Sequence, residues 1–172
     1  MILPIAGHEP DVSRAGFVAA NAAVCGNVVL GEDSTVWFSA AIRAEAEYVK
    51  VGARSNVQDQ AMLHTQPGSP VIIGEGVSIG HGAIVHGAQI DDDVLIGMHA
   101  TVLNRAHVGK GSLIAAGALV TEDTVVPPYS LVMGVPGKVV RQVSAEQLEC
   151  TRWGAASYVE LGAVYRAAGA EG

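Results

Sequence analysis

A run of aliphatic residues recurs at every sixth position along most of the chain, and this period constrains the fold more than any other feature of the sequence. The interval lengthens only after Ile42 and Leu63 and shortens to five after Val85. The run comprises Val12, Val18, Val24, Leu30, Val36, Ile42, Val51, Val57, Leu63, Ile73, Ile79, Val85, Ile90, Ile96, Val102, Val108, Ile114, Val120, Val126 and Val132. An α-helix would need apolar residues at i, i+3 and i+4, and that spacing is absent.

A second residue, which is small or valine, stands two positions before nearly every rung of this run. Alternate residues of a strand face the same side, so both members of each pair point inward. The pattern therefore predicts short parallel strands joined by tight turns, with three strands to each coil. The composition agrees, because 49% of the residues are hydrophobic but only 5% are aromatic, and 21 glycines favour tight turns.

The repeat ends near Pro127 and Pro128, and a different pattern follows. Ser144 with Gln147 three residues later is typical of a capping box, and the apolar residues beyond it predict a helix over about residues 145–167. We expect a β-helix domain over residues 1–143 and, over residues 144–168, a C-terminal helix packed on the prism or on a neighbouring subunit.

Composition excludes several partners. The net charge of −7 argues against a nucleic-acid partner, and without a run of about 18 apolar residues we expect no membrane association. Cys25 and Cys150 lie far apart in the sequence, which favours free thiols in a reducing compartment. The N-terminus lacks the basic and apolar regions of a signal peptide, so we expect a cytoplasmic protein.

Three of the six histidines fall between residues 64 and 86. His64 and His86 each directly follow a rung, and allowance for four extra residues at 66–69 puts them one coil apart. They should lie one above the other at the strand spacing of about 4.8 Å, close enough to bind one metal ion. His81 stands two positions past Ile79 and belongs to a different edge of the prism. A three-fold homotrimer would bring it to the His64/His86 column of a neighbour.

This arrangement predicts a metal site at each subunit interface. Three imidazoles and a water are typical of a catalytic Zn²⁺ site, although Fe²⁺ would also suit them. Arg43 should lie one coil below His64, and Asp59 one coil below His81, so the two would meet across the interface and form an ion pair. Gln58 directly follows Val57, and we expect it to orient a bound water or bicarbonate.

These residues resemble the site residues of γ-class carbonic anhydrases, in a subclass with a short loop after the first histidine. The motifs are Arg43-Ala44-Glu45, Asn56-Val57-Gln58-Asp59, and His64 with His81 and His86 five residues apart. The resemblance covers about residues 12–140. It implies an all-β, left-handed parallel β-helix of the hexapeptide-repeat type and a homotrimer that uses zinc to interconvert CO2 and bicarbonate. It also implies catalytic roles for Arg43, Glu45, Gln58 and Asp59, although the family usually has Asp where Glu45 stands.

Two features keep alternative functions open. The ending at residues 132–141 is similar to that of hexapeptide acyltransferases, and the loop at residues 65–70 lacks the glutamates that carry protons in the best-known active carbonic anhydrases. An acyl-CoA thioesterase or acyltransferase, or a catalytically silent subunit stabilised by metal, would fit these features. The three histidines favour a carbonic anhydrase. We interpret His8, His99 and His107 as surface residues and Tyr158 as a packing residue.

Overall fold

The aliphatic rungs line the interior of a three-sided prism of short parallel strands. The structure, a computed structural model, describes residues 1–171. Rung side chains from Val24 to Val132 are each at most 3% exposed. The predicted left-handed parallel β-helix with a C-terminal helix is confirmed.

Most strands are short because each side of the prism is crossed in a few residues before the chain turns, whereas β3 and β5 are longer because each continues across two faces. They are, in chain order, β1 (Ile2–Leu3), β2 (Phe17–Val18), β3 (Ala23–Leu30), β4 (Thr35–Val36), β5 (Ala41–Val51), β6 (Asn56–Val57), β7 (Met62–His64), β8 (Val71–Ile73), β9 (Ser78–Ile79), β10 (Ile84–His86), β11 (Gln89–Ile90), β12 (Leu95–Ile96), β13 (Thr101–Val102), β14 (His107–Val108), β15 (Leu113–Ile114), β16 (Leu119–Val120), β17 (Val125–Val126), β18 (Ser130–Met133) and β19 (Lys138–Gln142).

Strands of successive coils pair in parallel and build three faces. The first face contains β1, the first halves of β3 and β5, and then β7, β10, β13 and β16. The second contains the second halves of β3 and β5, and then β8, β11, β14 and β17. The third contains β2, β4, β6, β9, β12, β15 and β18, and β19 pairs with β18 in antiparallel orientation to close the end.

The C-terminal helix α1 (Ala145–Ala167) packs along the third face. The predicted capping box is confirmed, because Ser144 accepts from the Gln147 backbone and the Gln147 side chain reaches back to Ser144. Near the end of the helix, Tyr165 joins an aromatic cluster with Phe17 and Trp37. In residues 1–171 no helix combines the length and the apolar character that crossing a membrane requires.

The first half of α1 and the third face enclose a groove of about 440 Å³ beside Leu95 and Leu113. An ion pair between Arg152 and Asp93, 2.8 Å apart, links this half of the helix to a corner of the prism. The groove ends at Gln58 and Tyr158, so the helix forms one wall of the region around the predicted site residues.

The same substitution at two isoleucines tests which strand residues point into the core and which point outward. Ile114 is fully buried and Ile84 is 39% exposed. We expect Ile114→Ala to reduce the free energy of unfolding by about 2–5 kcal/mol, because it leaves a cavity in the core. The matched change Ile84→Ala should cost less than about 1 kcal/mol. Chemical denaturation at one protein concentration measures both, and equal losses would contradict the assigned register.

Candidate metal centre

The parallel ladder of the first face places three predicted site residues in one vertical column. Arg43 in β5 pairs with His64 in β7, and His64 pairs with His86 in β10. Nδ1 of His64 lies 2.9 Å from Nε2 of His86, and the two ring centroids are 4.9 Å apart. The structure therefore brings the two histidines together with one nitrogen of each ring facing the other.

The outer nitrogen of His86 is bound to an amide oxygen. Nδ1 of His86 lies 2.7 Å from Oδ1 of Asn104. The orientation of this amide follows from its other contacts, because Nδ2 of Asn104 donates to the Glu122 carboxylate at 3.0 Å and to Gln66 at 3.1 Å. The amide oxygen can only accept, so Nδ1 of His86 carries the proton and Nε2 of the neutral ring presents a lone pair.

The outer nitrogen of His64 is bound to a carboxylate. Nε2 of His64 lies 3.1 Å from Oε1 of Glu45, and Arg43 forms an ion pair with the same carboxyl group. Partial burial raises the pKa of Glu45, but the hydrogen bond from His64 and the charge of Arg43 outweigh it, and the pKa lies below its ordinary value. Glu45 is therefore ionised near neutral pH, Nε2 of His64 donates to it, and Nδ1 of a neutral His64 also presents a lone pair.

The two inner nitrogens would then direct two lone pairs at each other across 2.9 Å. That arrangement is repulsive unless a positive charge, either an added proton or a metal cation, lies at the inner nitrogens. Neutral imidazole is a common metal ligand, and ligating histidines usually donate their other ring N–H to a carboxylate or carbonyl. The donor set of His64 and His86 therefore fits a metal cation.

His81 lies on a different edge of the prism, and one of its ring nitrogens also contacts an acceptor of its own chain. Its Nδ1 lies 3.0 Å from Oδ2 of Asp59, and the Gly82 N–H donates to the Asp59 carbonyl, which places His81 one coil above Asp59. The other nitrogen, Nε2, lies 3.5 Å from the Tyr158 hydroxyl. Burial raises the pKa of Tyr158, and the charge of Asp59 adds to this shift, so the phenol stays protonated near neutral pH.

His81 does not meet the other two histidines within one protomer. Across the 171 described residues, no three histidine, cysteine or carboxylate side chains come together as a metal-binding group. Arg43 pairs with Glu45 and Asp59 pairs with His81 in the same chain. The contact between Arg43 and a neighbouring subunit's Asp59 stays a prediction.

Gln58 lies in a polar cluster on the third face. It is 7% exposed, and its Nε2 donates to Oδ1 of Asn56 at 2.9 Å. Nδ2 of Asn56 in turn donates to the Ser78 hydroxyl at 2.9 Å. These contacts hold Gln58 at the end of the groove beside Tyr158.

Sequence reasoning missed several residues around the histidines. Asn104 stands two positions past a rung, so the register could have placed it one coil above Gly87, beside His86. Tyr158 packs against the core as predicted, but it also approaches His81. His8 is exposed as predicted, yet it lines a cavity with Glu45, and no repeat signal could have placed it there.

Comparison with known proteins gives several relatives that match most of the chain. A probable carbonic anhydrase of Methanocaldococcus jannaschii is 45% identical over 150 residues, covering 87% of this chain and 94% of that protein. A carbonic anhydrase of Geobacillus kaustophilus is 38% identical and covers 97% and 92% of the two chains. The mitochondrial gamma carbonic anhydrase 1 of Arabidopsis thaliana is 34% identical, and the match covers 99% of this chain and 64% of the plant protein.

Solved structures share the fold. A Bacillus cereus protein provisionally described as an acetyltransferase superposes with a TM-score of 0.93 at 38% identity, with 97% of each chain covered. A hexapeptide transferase family protein from Anaplasma phagocytophilum superposes with a TM-score of 0.91 at 32% identity, covering 96% and 98% of the two chains. No family model matches the sequence.

Alanine substitutions at two glycines, both in a left-handed backbone conformation, test how tightly Asn104 is held against His86. A Cβ at Gly87 (φ 56°) would lie 2.5 Å from Oδ1 of Asn104 and 2.7 Å from Cβ of Ser69, whereas a Cβ at Gly117 (φ 68°) meets nothing within 4 Å. Gly117→Ala should cost about 1–2 kcal/mol of unfolding free energy from backbone strain alone. Gly87→Ala should cost roughly 1–3 kcal/mol more from overpacking.

Denaturation and the NMR signal of the His86 Nδ1 proton provide the two measurements. We expect the Gly87 variant to alter that signal and the Gly117 variant to leave it unchanged. Equal stability losses with an unaltered His86 signal would argue against the packing of Asn104 described above.

Proposed function

Because the chain belongs to the γ-class carbonic anhydrase family, we propose that it catalyses the reversible hydration of CO2 to bicarbonate at a metal bound by His64, His81 and His86. The observation that carries the proposal is the shared pattern of ring contacts. Each histidine directs one nitrogen at an acceptor of its own chain, namely Glu45, Asp59 or Asn104. The other nitrogen of each ring would bind the cation; in the single chain those of His64 and His86 lie 2.9 Å apart, and that of His81 lies 3.5 Å from the Tyr158 hydroxyl.

Zn²⁺ is the proposed metal, with Fe²⁺ as the alternative. Three neutral imidazoles with an open fourth position are typical of catalytic zinc sites, and imidazole also suits iron. When bound, the metal would lower the pKa of a water to about 7, so that hydroxide, the nucleophile that attacks CO2, would be available near neutral pH. The free cysteines, Cys25 and Cys150, support a reducing, cytoplasmic location.

A homotrimer is the proposed assembly, because His81 lies on a different edge from His64 and His86. A closed three-fold ring presents the same two edges to each other at every interface, so each interface would hold one complete set of ligands. Arg43 is 47% exposed and its guanidinium is planar. It is therefore available to a neighbouring subunit's Asp59 in addition to its own Glu45, and such a pair would set the vertical register of the interface.

The remaining site residues act through hydrogen bonds in this proposal. Glu45 and Asp59 fix the ring orientation of His64 and His81, and Asn104 does so for His86. Gln58 is held by Asn56 at one end of the groove. We assign it the task of orienting the reacting water or bicarbonate, while Tyr158 limits the movement of His81.

A second candidate function is acyl transfer or acyl-CoA thioester hydrolysis. The relative provisionally described as an acetyltransferase, at 38% identity over 97% of the chain, favours this candidate. A third candidate is a catalytically silent subunit whose metal only stabilises the trimer. The three-histidine pattern favours CO2 hydration, because acyl transfer does not require three histidines.

The test combines native mass, metal content and stopped-flow CO2 hydration on the metal-reconstituted protein. We expect a trimeric mass, about one metal ion per chain and hydration that chelation abolishes. Full metal occupancy without CO2 hydration would favour the third candidate, a catalytically silent subunit whose metal only stabilises the trimer. Thioester hydrolysis that survives both chelation and His81→Ala would favour the acyl-CoA function.

Hybrid trimers test whether the ligands come from two chains. His81→Ala alone should remove metal from every site, because each site loses one of its three ligands. His64→Ala alone should do the same. When the two variants are unfolded together and refolded, some interfaces regain all three histidines, so metal content should partly return. Mixtures that bind no more metal than either variant would contradict a shared site.

Substitutions at Asp59 test the orienting role through metal affinity. Asp59→Leu removes the acceptor for Nδ1 of His81 and should weaken metal binding by roughly 10–100-fold. Asp59→Asn is the matched control, because its amide oxygen can still accept, and it should lose much less. Competition with a chromophoric chelator measures both affinities. Similar affinities for the two variants would argue that Asp59 does not orient His81.

A further inference from the structure

The N-terminal strand β1 extends the column of Arg43, His64 and His86 at its lower end by the same register. Leu3 in β1 pairs with Cys25 in β3, and Cys25 pairs with Arg43 in β5. The chain then reverses in a tight turn in which Ile5 and His8 exchange two backbone hydrogen bonds of 3.0 Å each. His8 is therefore positioned by a defined turn.

His8 lines a cavity of about 240 Å³ together with Asn27 and residues 44–48. Two of the residues that line this cavity, Glu45 and Glu47, carry carboxylates. Glu45 accepts from His64, so the cavity adjoins a proposed metal ligand. Glu47 is held in place by the Gly68 N–H, which donates to its Oε1 at 3.0 Å.

The proposed reaction requires a group that accepts a proton and then releases it to solvent. CO2 and water give bicarbonate and one proton, and the proton must leave the site in every turnover. The loop at residues 65–70 carries no ionisable side chain. Imidazole has an ordinary pKa of about 6.5, so it can both accept and release a proton near neutral pH.

We propose that His8 is the proton acceptor of the site, an inference that rests on the proposed function. A ring nitrogen of neutral His8 takes the proton released when bicarbonate forms and then passes it to a buffer base in solvent. The neutral ring is restored and no electrons are transferred. At about 30 Å³ per water, the cavity that Glu45 and His8 share has room for several water molecules to relay the proton.

The surrounding groups favour His8 over the other side chains of the cavity. Glu47 already accepts a hydrogen bond from the Gly68 backbone amide, and a phenol is a poor proton acceptor. His8 is exposed to solvent. Of the remaining histidines, His107 contacts Asp91 at 2.9 Å and lies outside this cavity.

Kinetics at low buffer concentration test the proposal. His8→Gln and His8→Ala should lower kcat by about tenfold or more, within the loss expected when a positioned acid–base group is removed. Their kcat/KM and metal content should stay within about twofold of wild type, because CO2 conversion precedes proton release. Added imidazole should restore kcat of His8→Ala. His107→Gln is the matched control and should behave as wild type.

A measurement independent of activity tests the placement. In the metal-free protein we expect NMR Overhauser contacts between the His8 ring protons and the side chains of Glu47 or Tyr48. Absence of these contacts, or an unchanged kcat for both His8 variants at low buffer, would overturn the assignment of His8 while leaving CO2 hydration intact. Wild-type protein that binds metal but hydrates no CO2 would overturn both proposals.

Discussion

The parallel hydrogen-bonded ladder between successive coils is the constraint on which the rest of the structure depends. Each coil is aligned on the one below by its backbone, so residues at equivalent positions stack in columns at the strand spacing. The column of Cys25, Arg43, His64 and His86 exists only because their strands pair in that register. A slip by one residue would exchange the inward and outward side chains and separate the two imidazoles.

The side chains that point outward from these columns form a polar network around the apolar core of the prism. His64 and His86 face each other at 2.9 Å, while Glu45 and Asn104 occupy their other nitrogens. Because both acceptors receive a hydrogen bond from a ring N–H, the inner nitrogens of the neutral rings carry lone pairs. A positive charge between these two rings, either an added proton or a metal cation, would relieve their repulsion, and on another edge His81 likewise directs one ring nitrogen at Asp59.

The repeat made the fold and the two columns predictable, because a period of six links sequence position directly to the side of the prism. The pairing of His64 with His86 and the position of Asp59 below His81 followed from the same count. The contacts of Arg43 with Glu45, and of Tyr158 with His81, did not follow. They depend on rotamers and on the path of the C-terminal helix, which lie outside the repeat. The cavity that His8 shares with Glu45 escaped prediction for the same reason, since the N-terminal turn has no periodic signal.

The sequence by itself determined the coil, its inward residues and the alignment of histidines along each edge, because those properties repeat locally and need only backbone pairing. Tertiary structure alone decided which acceptor holds each ring nitrogen, how the helix closes the groove beside Gln58, and which cavity His8 enters. These contacts join segments far apart in the chain, such as Asp93 with Arg152. Their geometry is set by packing of the whole prism, and no local spacing encodes it.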